Sequence, residues 1–127
     1  MATASVKSAD KKNIEALLWA LKPLANLRGS IPLPYATTFL MVALDEGKSV
    51  NAYARAVGIH RAAMHRYVRN IGDRARNGGP GLGLVRTERH PTYSNRRQVL
   101  LTDKGRLLAA EIFQQIDRSE RSRANIG

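Results

Sequence analysis

The stretch that decides the fold is Val50 to Ile71, VNAYARAVGIHRAAMHRYVRNI. Its pattern predicts two short helices joined by a tight turn at Gly58. Ala54 leaves room for the second helix to pass close to the first, and Gly58 supplies the positive φ such a turn needs. Tyr53, Val57, Ile59, Met64 and Tyr67 fall where a helix-turn-helix needs apolar groups to lock its helices together. Val68 and Ile71 extend that inner face at helical spacing. Arg61, His65 and Arg69 recur at every fourth position, with Arg66 beside them. A helix lying in the major groove of DNA carries such a face. The competing reading is an ordinary amphipathic helix with a solvated basic face, which composition alone would favour. The Ala-Gly-apolar spacing and the basic segment C-terminal to it favour DNA.

Charge distribution points the same way. The 127 residues carry a net charge of +11, and 43% are hydrophobic. Residues 1–46 hold five Lys/Arg against four Asp/Glu, residues 47–106 thirteen against three, and residues 107–127 three against three. The excess therefore sits on the helix-turn-helix and the segment after it. That implies a polyanionic partner bound largely through phosphates. No segment pairs a Lys/Arg-rich face with a bulky apolar one as interfacial membrane helices do. No secretory signal or membrane span is visible, so a cytoplasmic, nucleoid-associated protein is expected. The chain has no cysteine, which excludes disulfides and thiolate chemistry.

From the N-terminus, residues 1–8 read as a disordered tail and residues 9–30 as an N-terminal helical, dimerising element. Ser8 or Asp10 is the expected cap of a helix reaching about Lys22, with Ile14, Leu17, Leu18 and Leu21 as its stripe and Trp19 at the edge. Pro23 kinks or ends it. Residues 31–106 form the DNA-binding domain. Its first helix is expected to start at Pro34, to bury Ala36, Phe39, Leu40, Ala43 and Leu44, and to stop at Gly47, leaving Thr37 and Thr38 solvated. Lys48 to Val50 is expected as a small edge strand, Ser49 or Asn51 as the cap of the next helix, and Ile59 to about Arg74 as the recognition helix. Gly72 to Gly83 reads as a glycine-rich loop bearing Arg74 and Arg76. Its run Gly79-Pro80-Gly81-Leu82-Gly83 lacks the lysine and hydroxyl of a phosphate-binding loop. Leu84 to Glu88 and Arg97 to Leu101 are the expected strands of a hairpin with a polar tip. Thr102 caps a last helix with Leu108, Ala109, Ile112, Phe113 and Ile116 as its stripe. Residues 107–127 make a second dimerising element whose tail frays from Arg118.

A helix-turn-helix followed by a basic hairpin and another helix is a winged helix: mainly α with a small β-hairpin, flanked by N- and C-terminal helices. Leu84-Val85-Arg86, then Asn95-Arg96-Arg97, then Val99 to Arg106 (VLLTDKGR) resembles the wing of MarR-type transcriptional regulators. The resemblance covers about residues 36–113. It departs at Asn95, where the family usually has Asp, in the longer glycine-rich loop, and in a single C-terminal helix where the family has two. What it implies is a transcriptional regulator, a repressor, binding a palindromic double-stranded DNA site as a homodimer. Arg61, Ala62, His65, Arg66 and Arg69 would face bases and phosphates, and Arg96 and Arg97 would sit on the wing near the minor groove. Arg86 and Arg89 flank the wing, and Lys48, Ser49 and Arg55 are expected on phosphate.

Other chemistries have little support. His60, His65 and His90 lack metal-ligand spacing, so neither a metal nor a cofactor is expected. No motif organises the ten acidic residues for catalysis. A small-molecule effector is compatible with the sequence, though no site for one is evident in it. The alternative role is an architectural or replication/recombination accessory protein of a mobile element, using the same winged helix.

Overall fold

The computed structural model describes residues 8–27, 31–73, 81–93 and 95–126. Residues 1–7 of the expected N-terminal tail, Arg74, Arg76 and the start of the Gly79-Pro80 run lie outside the described residues, while Ser8 belongs to the first helix. The elements are α1 (Ser8–Ala25), α2 (Leu33–Leu44), α3 (Val50–Val57), α4 (Arg61–Ile71), β1 (Val85–Arg89), β2 (Arg97–Leu101) and α5 (Asp103–Ile126). Five helices with one antiparallel hairpin are the winged-helix architecture anticipated from sequence. The chain divides into two compact units, Ile31–Ala109 and Met1–Ser30 with Ala110–Gly127.

The first of these units is built around the α3–α4 turn. Gly58 takes the left-handed conformation (φ 70°) at the end of α3, and the Ala54 carbonyl accepts the Ile59 N–H at 3.0 Å, closing the turn. Phe39, Val42, Tyr53, Ala54, Met64, Val68 and Ile71 are buried beneath it. Full burial of one such large apolar side chain contributes about 1.5–3 kcal/mol. Val57 is 46% exposed, contrary to its expected locking role. As the last helical residue it lies where the chain turns away, so α4 covers the preceding turn instead.

The expected α2 face also shifts. Leu40 and Ala43 are half-buried and Leu44 is exposed, as the helix ends at Leu44. Thr38, expected in solvent, is buried. Its hydroxyl donates to the Pro34 carbonyl at 2.7 Å, so burial leaves no unpaired group. Helix α2 begins at Leu33 rather than Pro34, with Pro32 at its N-cap.

Helix α4 starts two residues later than expected and stops before Arg74. At its start, His60 Nδ1 accepts the Ala62 N–H at 3.1 Å, making His60 the cap. At its end, the carbonyls of Asn70, Ile71 and Gly72 accept the N–H groups of Leu82, Leu84 and Gly83 at 3.1, 2.7 and 2.8 Å. These are carbonyls a helix terminus leaves open. The returning chain takes them, which ends the helix and anchors the wing to it.

Strands β1 and β2 pair from Val85 opposite Leu101 to Arg89 opposite Arg97. Lys48 to Val50 does not form the expected strand. The Gly47 N–H donates to the Val99 carbonyl, and the Val99 N–H to the Lys48 carbonyl, both at 2.9 Å. The chain then enters α3, where Ser49 Oγ accepts the Ala52 N–H at 3.1 Å.

Thr102 caps α5 as expected, its Oγ accepting the Gly105 N–H at 3.0 Å while donating to the Gly83 carbonyl at 2.5 Å. A Cβ at Gly105 would overlap the Leu84 carbonyl oxygen, so this close helix–strand approach requires glycine. Lys104 donates to the Leu82 carbonyl, and Arg106 holds Glu46 through two 3.1 Å bonds. The basic groups of the VLLTDKGR run therefore brace the wing.

In the second unit, α5 continues through residue 126 instead of fraying from Arg118. An i,i+4 pair, Arg121 to Asp117 at 3.2 Å, spans this polar stretch. Phe113 is 65% exposed, unlike Leu108, Ala109 and Ile112. Helix α1 extends from Ser8 past Pro23 to Ala25, so Asp10 lies in its first turn rather than at its cap. Its covered face runs through Ala16, Trp19, Ala20, Pro23 and Leu24. The expected stripe is the uncovered one, with Ile14, Leu17 and Leu18 each more than half exposed. None of the described helices is long and apolar enough to cross a membrane.

Candidate nucleic-acid interface

A groove of about 1050 Å³ lies between the α3–α4 pair and the wing. Its α2–α3 rim is formed by Lys48 and Ser49. Arg55 of α3, His65 and Arg69 of α4, and Arg86, Arg96 and Arg97 of the wing complete the polar wall. Six of the lining residues are Lys or Arg, against one carboxylate, Asp73 at the end of α4. A concave wall of one sign focuses its field and concentrates anions.

Eight of the twelve residues anticipated from sequence thus meet in one groove. The other four, Arg61, Ala62, Arg66 and Arg89, are exposed but outside its lining. Helix α4 separates its faces cleanly: Met64, Val68 and Ile71 are buried, whereas Arg61, Ala62, His65, Arg66 and Arg69 are open to solvent.

The basic groups differ in how far they are already engaged. Arg55, Arg61, Arg69 and Arg89 pair with no acid among the described residues. Lys48 Nζ lies 2.9 Å from Asp45, both groups about half exposed, so the pair is weak and open to exchange. Arg86 is tied to Glu88, whose other oxygen accepts from Gln98 at 3.1 Å. Arg97 reaches across the hairpin to the Thr87 carbonyl and hydroxyl of β1 at 3.1 and 3.0 Å. Arg66 and Arg96 lie over tyrosine rings, 5.8 Å from Tyr67 and 5.0 Å from Tyr93. Ser49 uses a lone pair to cap α3 and keeps its hydroxyl proton as a donor.

Sequence reasoning overlooked several groups. Asn51, Asp73, Thr87, His90 and Tyr93 also line the groove. Tyr93 sits three positions before Arg96, a spacing that brings side chains together only once the turn is known. Tyr53, by contrast, is core as expected. Its hydroxyl donates to the Asp45 carbonyl at 2.6 Å and accepts the Lys48 N–H at 3.3 Å. Burial raises its pKa above 10.0. Tyr67 is half-buried, its ring 5.8 Å from that of Tyr35. Among the described residues no cluster of His, Asp and Glu has the makings of a metal site.

No protein-family model matches the sequence, and a search of curated proteins finds no match. Solved structures do match the fold. A MarR-like transcriptional regulator from Thermotoga maritima superposes with a TM-score of 0.65 at 19% identity, over 95% of this chain and 83% of that one. RV1404 from Mycobacterium tuberculosis gives 0.64 at 20% identity, over 98% and 83%. A mutant of MepR from S. aureus, bound to an oligodeoxyribonucleotide, gives 0.63 at 17% identity, over 92% and 76%. At these identities the likeness is one of fold, and the fold is the MarR-like winged helix.

Proposed function

We propose that this chain is a sequence-specific double-stranded DNA-binding regulator of transcription, acting as a repressor, and not an enzyme. The observation that carries this reading is the groove between the helix-turn-helix and the wing, walled by six Lys/Arg against one acid. Its walls hold no organised catalytic set, whereas a duplex supplies the polyanion that such a surface attracts. In this reading α4 enters the major groove with Arg61, Ala62, His65, Arg66 and Arg69 toward bases and phosphates. The wing lies near the minor groove through Arg96 and Arg97, with Arg86 and Arg89 at its flanks. Lys48, Ser49 and Arg55 hold phosphate. That a regulator of this fold was solved with an oligodeoxyribonucleotide is in keeping with this docking.

The working unit is a homodimer on a palindromic site. The open Ile14, Leu17 and Leu18 stripe of α1 and exposed Phe113 of α5 support this, since large apolar groups left in water mark an association surface.

Selection of genomic fragments with purified protein, followed by affinity measurements at two salt concentrations, tests the reading. One inverted repeat with half-sites about 10 bp apart, bound far above random DNA, is the expected outcome. Arg61→Ala or Arg69→Ala is expected to cost about 1–3 kcal/mol and relax base preference, while Arg97→Ala weakens all sequences and flattens the salt slope. Equal collapse on every DNA as salt rises would instead favour the architectural role.

A further inference from the structure

The wing carries four arginines, and the structure treats them differently. Arg86 pairs with Glu88, and Arg97 directs donors to Thr87. The Arg89 side chain has neither hydrogen-bond nor ion-pair partner among the described residues. Only Arg96 among them meets an aromatic ring: its guanidinium carbon lies 5.0 Å from the centre of Tyr93.

That ring is itself held. His90 Nδ1 accepts the backbone N–H groups of Thr92 and Tyr93 at 3.1 and 3.2 Å. The His90 and Tyr93 rings lie 5.2 Å apart. The Tyr93 carbonyl accepts the Arg96 N–H at 2.9 Å, and the Arg96 carbonyl accepts the His90 N–H at 2.8 Å. Backbone and side chains therefore join His90, Tyr93 and Arg96 into one small cluster at the wing tip.

Resting on the DNA-binding reading above, we infer that Tyr93 is a positioning residue for Arg96, presenting its guanidinium to nucleic acid through ring contact. A carboxylate would hold an arginine equally well but would occupy its N–H donors and cancel its charge. An aromatic ring engages the guanidinium through its π-face and leaves the donors free for phosphate or base edges. Holding the side chain beforehand also removes part of the rotamer entropy otherwise lost on binding. Among the described residues Arg96 is thus restrained by a ring while none of its side-chain donors is hydrogen-bonded. His90 sets the turn that puts the ring in place.

The test combines DNA affinity with NMR of the free protein, using Tyr93→Phe, Tyr93→Leu, Arg96→Ala and the Tyr93→Leu/Arg96→Ala pair. The probe is duplex DNA from the genomic selection. In the free protein, ring current should move the Arg96 side-chain protons upfield; Tyr93→Phe should keep that shift and Tyr93→Leu abolish it. Tyr93→Phe is expected to bind DNA like the parent, and Tyr93→Leu about two- to fivefold more weakly, the worth of one exposed cation–π contact. With Arg96→Ala already present, Tyr93→Leu should change nothing further. A Tyr93→Leu loss that persists without Arg96 would mean the ring touches DNA directly and would overturn the inference. So would parental affinity in Tyr93→Leu when Arg96→Ala alone weakens binding, with the DNA reading left standing. If Arg96→Ala has no effect, the wing's place in the DNA reading falls, and the inference with it.

Discussion

Replacing Glu46 probes the joint between the wing and the rest of its unit. One carboxylate oxygen accepts the Leu101 N–H at 2.7 Å, and the pair of oxygens receives Arg106 at 3.1 Å twice. The Glu46 side chain is 27% exposed and that of Arg106 54%, so the ion pair is screened and contributes at most about 1 kcal/mol. Leu101 is 5% exposed. Removing the acceptor from its N–H leaves a buried donor without a partner, which costs about 1–3 kcal/mol. Glu46→Gln keeps an acceptor and loses the charge, so its cost should stay below about 1 kcal/mol. Glu46→Ala loses both and should cost about 3 kcal/mol, lowering Tm by about 10 °C in a chain of this size. Urea denaturation followed by circular dichroism, at one fixed protein concentration, resolves the two values. Equal destabilisation by Gln and Ala would assign the effect to the ion pair. An Ala variant as stable as the parent would refute the argument altogether.

Two glycines should respond for different reasons. Gly58→Ala meets no atom within 4 Å, so its cost is that of the left-handed backbone alone, about 1–2 kcal/mol. Gly105→Ala drives a Cβ into the Leu84 carbonyl and should cost about 3 kcal/mol or prevent folding, which thermal melts of the pair would check. Tyr53 predicts an alkaline limit. Its folded pKa is raised by burial, so its stabilisation is complete below pH 10.0 and is lost as pH rises through the elevated value. Tyr53→Phe should flatten that alkaline limb in pH-dependent denaturation, while losing about 1 kcal/mol at neutral pH with the bond to the Asp45 carbonyl.

Several of these features could be read before any coordinates. The turn at Gly58 was legible because only glycine enters the left-handed region cheaply. The Arg61, His65, Arg69 face was legible because helical period alone brings those positions together. Thr102 announced a helix start by its chemistry. Strand β2 matched its expected span, since alternation and turn residues bound it on both sides. Other readings failed where burial depends on a partner that local pattern does not name. Val57 and Leu44 occupy apolar positions at helix ends where nothing arrives to cover them. Thr38 is polar, yet its own helix satisfies its hydroxyl and so permits burial. The end of α4 depended on a chain segment more than ten residues away, whose N–H groups claimed the last carbonyls.

Sequence by itself determined the winged helix, the basic face of α4 and the location of the charge excess, all of which rest on short-range periodicity and residue chemistry. Tertiary structure alone decided which arginines are engaged within the fold and which remain open. Arg106 and Lys104 read as basic but brace the wing against Glu46 and the Leu82 carbonyl, and Arg86 pairs at the surface with Glu88. Arg55 and Arg69 stay unpaired among the described residues and face the groove. The distinction is physical: a charge is common to every arginine in the sequence, whereas a partner within hydrogen-bond reach exists only after distant segments have packed.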